Sequence, residues 1–130
     1  MRYLGIDYGA KQIGLALSDE NGGFAFPLEV LPNDNHVLEN IAHVIEEKKV
    51  GEIIIGDTRT ENAAPNQITE QCEQFAESLG ARVRLPVTRA REAWSSFEAS
   101  RFAPKGRERD DAAAAAIILQ RFLDSLSKKA

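Results

Sequence analysis

Two short apolar runs open the chain. Residues 2–7 (RYLGID) and 13–18 (IGLALS) read as β-strands, and the glycine-containing stretch between them suits a hairpin turn. Residues 24–31 form a third strand-like run in which Pro27 predicts an irregularity or an edge position. In residues 34–49 the spacing changes: Val37, Leu38, Ile41, Val44 and Ile45 recur at helical intervals, with Asn33 or Asp34 placed to cap the helix. Residues 51–56 (GEIIIG) then give a β-branched run suited to a strand buried on both faces, as in a parallel sheet. Polar residues 57–65 read as a loop. Ile68, Cys72, Phe75, Ala76 and Leu79 mark a second amphipathic helix over 66–79, ended by Gly80. Val83, Leu85 and Val87 alternate as a strand over 82–87. A helix over 90–102, a basic loop over 103–109 (APKGRER) and a final helix over 110–126 complete the chain.

The resulting order, β-β-β-α-β-α-β-α-α, predicts an α/β fold: a mixed five-stranded sheet with helices on its faces. No repeat or linker divides the 130 residues, so the expectation is one domain over 1–130. With 43% hydrophobic residues the chain can bury a core and is not of disordered composition. No apolar run approaches the roughly 20 residues that a membrane span needs, and the first residues lack the apolar core of a signal peptide. A single cysteine, Cys72, permits no internal disulfide. A reducing, cytoplasmic location is expected.

The net charge of −4 argues against general adhesion to nucleic acid. The charge is uneven, however. Between Arg82 and Arg109 there are eight basic residues and three acidic ones, so that segment is basic on an acidic remainder. Such a region fits either a polyanion footprint or a solvated basic surface.

Three carboxylates stand in unusual places. Asp7 closes an apolar strand, where its side chain either points into a cleft above the sheet or bonds local backbone N–H groups. Asp110 and Asp111 open the last helix. One acid suffices as a cap, and Asp111 shares a face with Ala115, Ile118 and Phe122, which turns it toward the sheet. The run Ala112 to Ala116 would let that helix lie close. Glu92 follows the last predicted strand, a position that also suits a solvated first-turn acid. Converging, the three acids could hold hard divalent cations, which prefer oxygen ligands and would offset repulsion among like charges. A pair of such ions activates water for phosphodiester hydrolysis.

These residues resemble the YqgF/RuvX family of the ribonuclease H-like superfamily. Its opening block is matched by Gly5-Ile6-Asp7-Tyr8-Gly9-Ala10-Lys11-Gln12-Ile13-Gly14-Leu15-Ala16-Leu17-Ser18-Asp19. A second block is matched by Arg91-Glu92-Ala93-Trp94-Ser95-Ser96-Phe97-Glu98-Ala99, and a third by Asp111 through Gln120. The resemblance implies a ribonuclease H-like sheet and a metal-dependent nuclease, with Asp7, Glu92 and Asp111 as catalytic and metal-binding residues and Mg2+ or Mn2+, as a pair, as cofactor. It implies a cytoplasmic protein that matures the 5′ end of small-subunit ribosomal RNA, or a Holliday junction resolvase. Lys11, Arg91, Lys105, Arg107 and Arg109 are expected to hold the nucleic acid, structured or single-stranded RNA by preference and branched DNA otherwise. The oligomeric state is left open between monomer and homodimer. The chain departs from the family pattern at Arg91 and Ala93 beside Glu92, at Ala10 and Gln12, and over residues 56–60, which lie where the family has a loop beside its site.

Two other function classes fit parts of the pattern. An actin-like or sugar-kinase-like phosphate site also begins with an Asp-x-Gly hairpin, but needs two related domains, and no phosphate-binding glycine motif is present. A nucleic-acid-binding or assembly module that has lost catalysis would keep the acids without binding metal. His36 and His43, seven residues apart on one helix, read as surface residues; Trp94 reads as packing, and Asp57 as a turn residue.

Overall fold

The computed structural model describes residues 1–56, 67–89 and 111–129, with side chains from residue 70 in the second stretch and to 126 in the third. Eight elements are placed: β1 (Arg2–Asp7), β2 (Gln12–Ser18), β3 (Ala25–Pro32), α1 (Val37–Lys48), β4 (Val50–Gly56), α2 (Gln67–Val83), β5 (Val87–Arg89) and α3 (Asp111–Lys129). The strands form one mixed sheet in the order β3-β2-β1-β4-β5. β1 pairs antiparallel with β2, and β2 with β3, while β1–β4 and β4–β5 are parallel. The predicted helix over 90–102 and the basic loop over 103–109 lie outside the described residues.

Alternation along the strands divides the core in two. Leu4, Ile6, Ile13, Leu15, Leu17, Ile53 and Ile55 face α1 and α2, where they meet Val37, Ile41, Ile45, Cys72, Phe75 and Leu79. Ala16 and Ile54 face α3 and meet Ala115, Ile118, Leu119 and Leu123. The three consecutive isoleucines of β4 are fully buried, which is what a parallel strand covered on both faces requires. Each such side chain contributes roughly 1.5–3 kcal/mol by leaving water.

Pro27 behaves as expected of an edge proline. β3 is an outer strand, and its register with β2 slips between Leu15, opposite Glu29, and Ala16, opposite Pro27, leaving Leu28 as the extra residue. Three local expectations need correction. α2 does not stop at Gly80 but continues to Val83, because Val83 prolongs the stripe of Cys72, Phe75, Ala76 and Leu79. Arg84 ends the helix in the left-handed conformation, with φ 55°, and its N–H donates to the Gly80 carbonyl at 2.8 Å. β5 is therefore only three residues long and starts at Val87. Finally, neither Asn33 nor Asp34 is the N-cap of α1. His36 holds that position without a side-chain cap, while Asp34 Oδ1 accepts the His36 N–H at 2.9 Å in a local turn.

The β2–β3 turn is held by side chains at both ends. Ser18, fully buried, accepts the Tyr3 N–H at 2.8 Å through Oγ. Gln120 of α3 accepts the Ala25 N–H at 2.9 Å and donates to the Gly23 carbonyl at 3.1 Å. Asp19 Oδ1 accepts the N–H groups of Phe24 (3.1 Å) and Gly23 (2.7 Å), and these bonds, Phe24's foremost, hold its carboxyl below the usual range. A carboxyl so lowered adds stability that is fully present above the unfolded value of about 3.9 and is lost as pH falls through the folded value. Asp19→Asn should therefore flatten the acid limb of stability against pH, measured by urea unfolding below about pH 4. Superimposable wild-type and variant curves there would contradict this role.

Candidate active site

Asp7 lies at the C-terminal end of β1, flanked on both sides by glycine: Gly14 of β2 and Gly56 of β4 are its cross-strand partners. Directly paired residues project to the same face, so this row faces α3. The helix runs along β1 in the opposite direction. Phe122 packs on Tyr3, with ring centroids 5.9 Å apart. One turn on, a Cβ placed on Gly5 would lie 2.7 Å from Leu119 Cβ and 3.0 Å from the Ala115 carbonyl oxygen. At the last level, a Cβ on Gly14 would collide with the carbonyl of Asp111 and lie 2.8 Å from the Ala112 nitrogen. The first residue of α3 thus rests, main chain to main chain, on the strand partner of Asp7.

This contact brings two of the three expected acids to one end of the sheet. Asp7 is 1% exposed and Asp111 7%. Carboxylates removed from water need hydrogen bonds and positive charge in compensation. The N-terminus of α3 supplies part of it, since its partial positive charge favours anions at that level. The glycines matter for the same geometry. Gly56 also leaves room for α3, because a Cβ there would lie 2.7 Å from Ile118 Cδ1. A glycine inside a strand pattern signals such close approach, and that was the available clue to Gly14 and Gly56, which sequence reasoning passed over in favour of the alanine run.

The turn from Tyr8 to Lys11 sits beside this end. The Tyr8 N–H donates to the Gly56 carbonyl at 2.9 Å, and its buried ring packs on Phe75 at 5.0 Å. Asn33, expected to serve α1, instead donates through Nδ2 to the Gly9 carbonyl at 2.8 Å and through its backbone N–H to the Lys11 carbonyl at 2.9 Å. Lys11 is exposed. Glu92, Arg91, Lys105, Arg107 and Arg109 lie outside the described residues, as do Asp57, Asp110 and Trp94. Among the described residues no group of three or more His, Cys, Asp or Glu is placed to hold a metal. His36 and His43 are exposed, in keeping with their reading as surface residues. Of the basic segment, Arg82 and Arg84 lie at the end of α2, whereas Arg89 closes β5 and pairs with Glu73 of α2 at 3.9 Å.

Comparison with known proteins follows the same lines. The family model described as RuvX, Holliday junction resolvase, matches residues 1–125. A Maridesulfovibrio salexigens protein named "Putative pre-16S rRNA nuclease" is 36% identical over 132 residues, covering 95% of this chain and 98% of the relative. One from Burkholderia ambifaria with the same name is 35% identical over 133 residues, covering 95% and 89%. Among solved structures, T. thermophilus RuvC in complex with Holliday junction substrate superimposes with a TM-score of 0.63 at 15% identity, over 98% of this chain and 96% of that one. Fowlpox virus resolvase with Holliday junction DNA gives a TM-score of 0.59 at 12% identity, over 97% and 99%. At those identities the likeness establishes the fold, a ribonuclease H-like sheet as expected.

Gly14→Ala should force α3 away from β2 and lower stability by about 1–3 kcal/mol, as for other overpacked sites, measured by thermal and urea unfolding. Gly23→Ala is the control, because nothing lies within 4 Å of a Cβ there. Equal melting temperatures for the two variants would show that the contact does not hold the start of α3 on β2.

Proposed function

The chain belongs to the RuvX family, whose relatives are named as nucleases, and we propose that it hydrolyses phosphodiester bonds in structured RNA, at the 5′ end of pre-16S rRNA, using Mg2+ or Mn2+. The observation that carries this reading is the pair of buried carboxylates, Asp7 and Asp111, brought to one end of the sheet by main-chain packing at Gly14. The donor set fits hard cations: the two acids offer oxygen ligands, whereas Cys72 is buried in the core on the other face and both histidines are exposed. Asp7, Asp111 and Glu92 are the residues that would hold the pair of ions. Ions held there would supply activation of water and compensation of charge on the scissile phosphate.

The rest of the work falls to the chain itself. Asp7 and Asp111 are carried on a strand end and a helix start, so their carboxylates are held by regular structure rather than by a free loop. Lys11, with Arg91, Lys105, Arg107 and Arg109, supplies positive charge to the nucleic-acid backbone, which makes binding salt-dependent. No helix among the described residues is long and apolar enough to cross a membrane, and a cytoplasmic site of action is part of this proposal. A second reading, cleavage of four-way DNA junctions, is favoured by the family description itself.

Purified protein should cut a structured RNA carrying the precursor 5′ extension in Mg2+ or Mn2+. Asp7→Asn should reduce the rate by more than the roughly 100-fold that loss of an outer-shell metal partner can bring, while far-UV circular dichroism stays unchanged. Cutting confined to a four-way DNA junction would transfer the assignment to the second reading. Full activity of Asp7→Asn would overturn the site. Lys11→Ala should leave Mn2+ binding intact and lower the slope of log K against log salt by about 0.7–0.9, measured by fluorescence anisotropy; an unchanged slope would remove Lys11 from the interface.

A further inference from the structure

The turn between β1 and β2 carries Lys11 and directly follows Asp7, yet it contains Gly9, which by itself gives the backbone wide freedom. Two of its carbonyls are taken by one residue. Asn33, immediately after β3, donates its side-chain amide to Gly9 and its backbone N–H to Lys11, at 2.8 and 2.9 Å. Gly9 is buried, so its carbonyl needs a partner from the protein, and Asn33 Nδ2 is that partner across 24 residues of chain. The side chain is available for this because Asp34, not Asn33, serves the start of α1: its Oδ1 accepts the His36 N–H and its carbonyl the Val37 N–H.

We infer that Asn33 is a positioning residue for nucleic-acid binding, holding the β1–β2 turn in the form that carries exposed Lys11 at the end of the sheet where β1 ends in Asp7. The inference rests on the nuclease reading above, in which Lys11 meets the phosphate backbone. A turn already ordered by Asn33 loses less freedom when Lys11 engages a phosphate, and that saving appears as affinity. Replacing Asn33 by alanine keeps the backbone bond to Lys11 and removes only the bond to Gly9. The effect of Asn33 on binding is therefore transmitted through Lys11 and vanishes when Lys11 is absent.

The test is a double-variant cycle on the full chain: wild type, Asn33→Ala, Lys11→Ala and the double variant. Binding to a hairpin RNA and to a four-way DNA junction is read by anisotropy over a salt series in EDTA, so that nothing is cut. Asn33→Ala should weaken binding about fivefold, within the range for coupled neighbours, and reduce the salt slope in the direction of Lys11→Ala. The double variant should bind as Lys11→Ala does. A purely structural loss would lower the melting temperature without moving the salt slope, and that result overturns the inference, as does a double variant in which the two losses multiply. Should Asn33→Ala fail to fold, Asn33→Ser, with a shorter donor, carries the same cycle. A wild-type chain that binds neither nucleic acid in EDTA and cuts neither in Mn2+ would sink the nuclease reading and this inference together, whereas binding with multiplying losses would sink the inference alone.

Discussion

The acidic end of this molecule depends on the approach of one helix backbone to one glycine. Where β2 presents Gly14, the carbonyl of Asp111 occupies the space that a side chain would fill. Because Gly14 is also the strand partner of Asp7, the same contact sets the level of both carboxylates. Side-chain packing tolerates adjustment of a few tenths of an ångström through rotamer changes, but main-chain contact has no such slack. The helix is also secured along its length: Leu119 and Ala115 close over Gly5, Phe122 packs on Tyr3, and Gln120 binds the β2–β3 turn at Ala25 and Gly23. Asp111 is thus the end of a rod seated on the sheet.

The two faces of the sheet divide the labour. The face covered by α1 and α2 carries the larger cluster of aliphatic and aromatic side chains, where burial supplies most of the stability. The α3 face is thin and built of glycine, alanine and a few larger residues, which brings the backbones together and the acids with them. A thick core on that face would hold α3 farther from the sheet, as residue size sets interhelical and helix–sheet distance. The larger core lies on one face, and the two buried carboxylates lie at the end of the other.

Most elements were legible because their signals are local. The strand β1 was read to the residue, and β2, β3, α1, β4 and α3 to within three residues at either end. The clearest error, ending α2 at Gly80, arose because Gly80 carries a stop signal while Val83 carries a continuation signal. Packing of Val83 against the core decided between them. Gly80 lies against β5, where a Cβ would come within 3.3 Å of Val87 Cγ2. Asn33 was misread for a similar reason. Its neighbourhood suggested a cap, and only the return of the chain reveals Gly9 as its partner.

Sequence alone determined the class of fold, the order of the described strands and helices, the family resemblance and the positions of Asp7 and Asp111 at a strand end and a helix start. Those properties follow from apolar periodicity and from residue types at short spacing, which act over a few residues of chain. Tertiary structure decided which residues hold this end of the sheet and the helix on it: Gly14 under Asp111, Gly56 beside Asp7, Asn33 across the turn and Gln120 midway along α3. Their partners lie between 24 and 97 residues away in sequence. No local pattern encodes such pairings, because they come into being only when the sheet closes and α3 is laid across it.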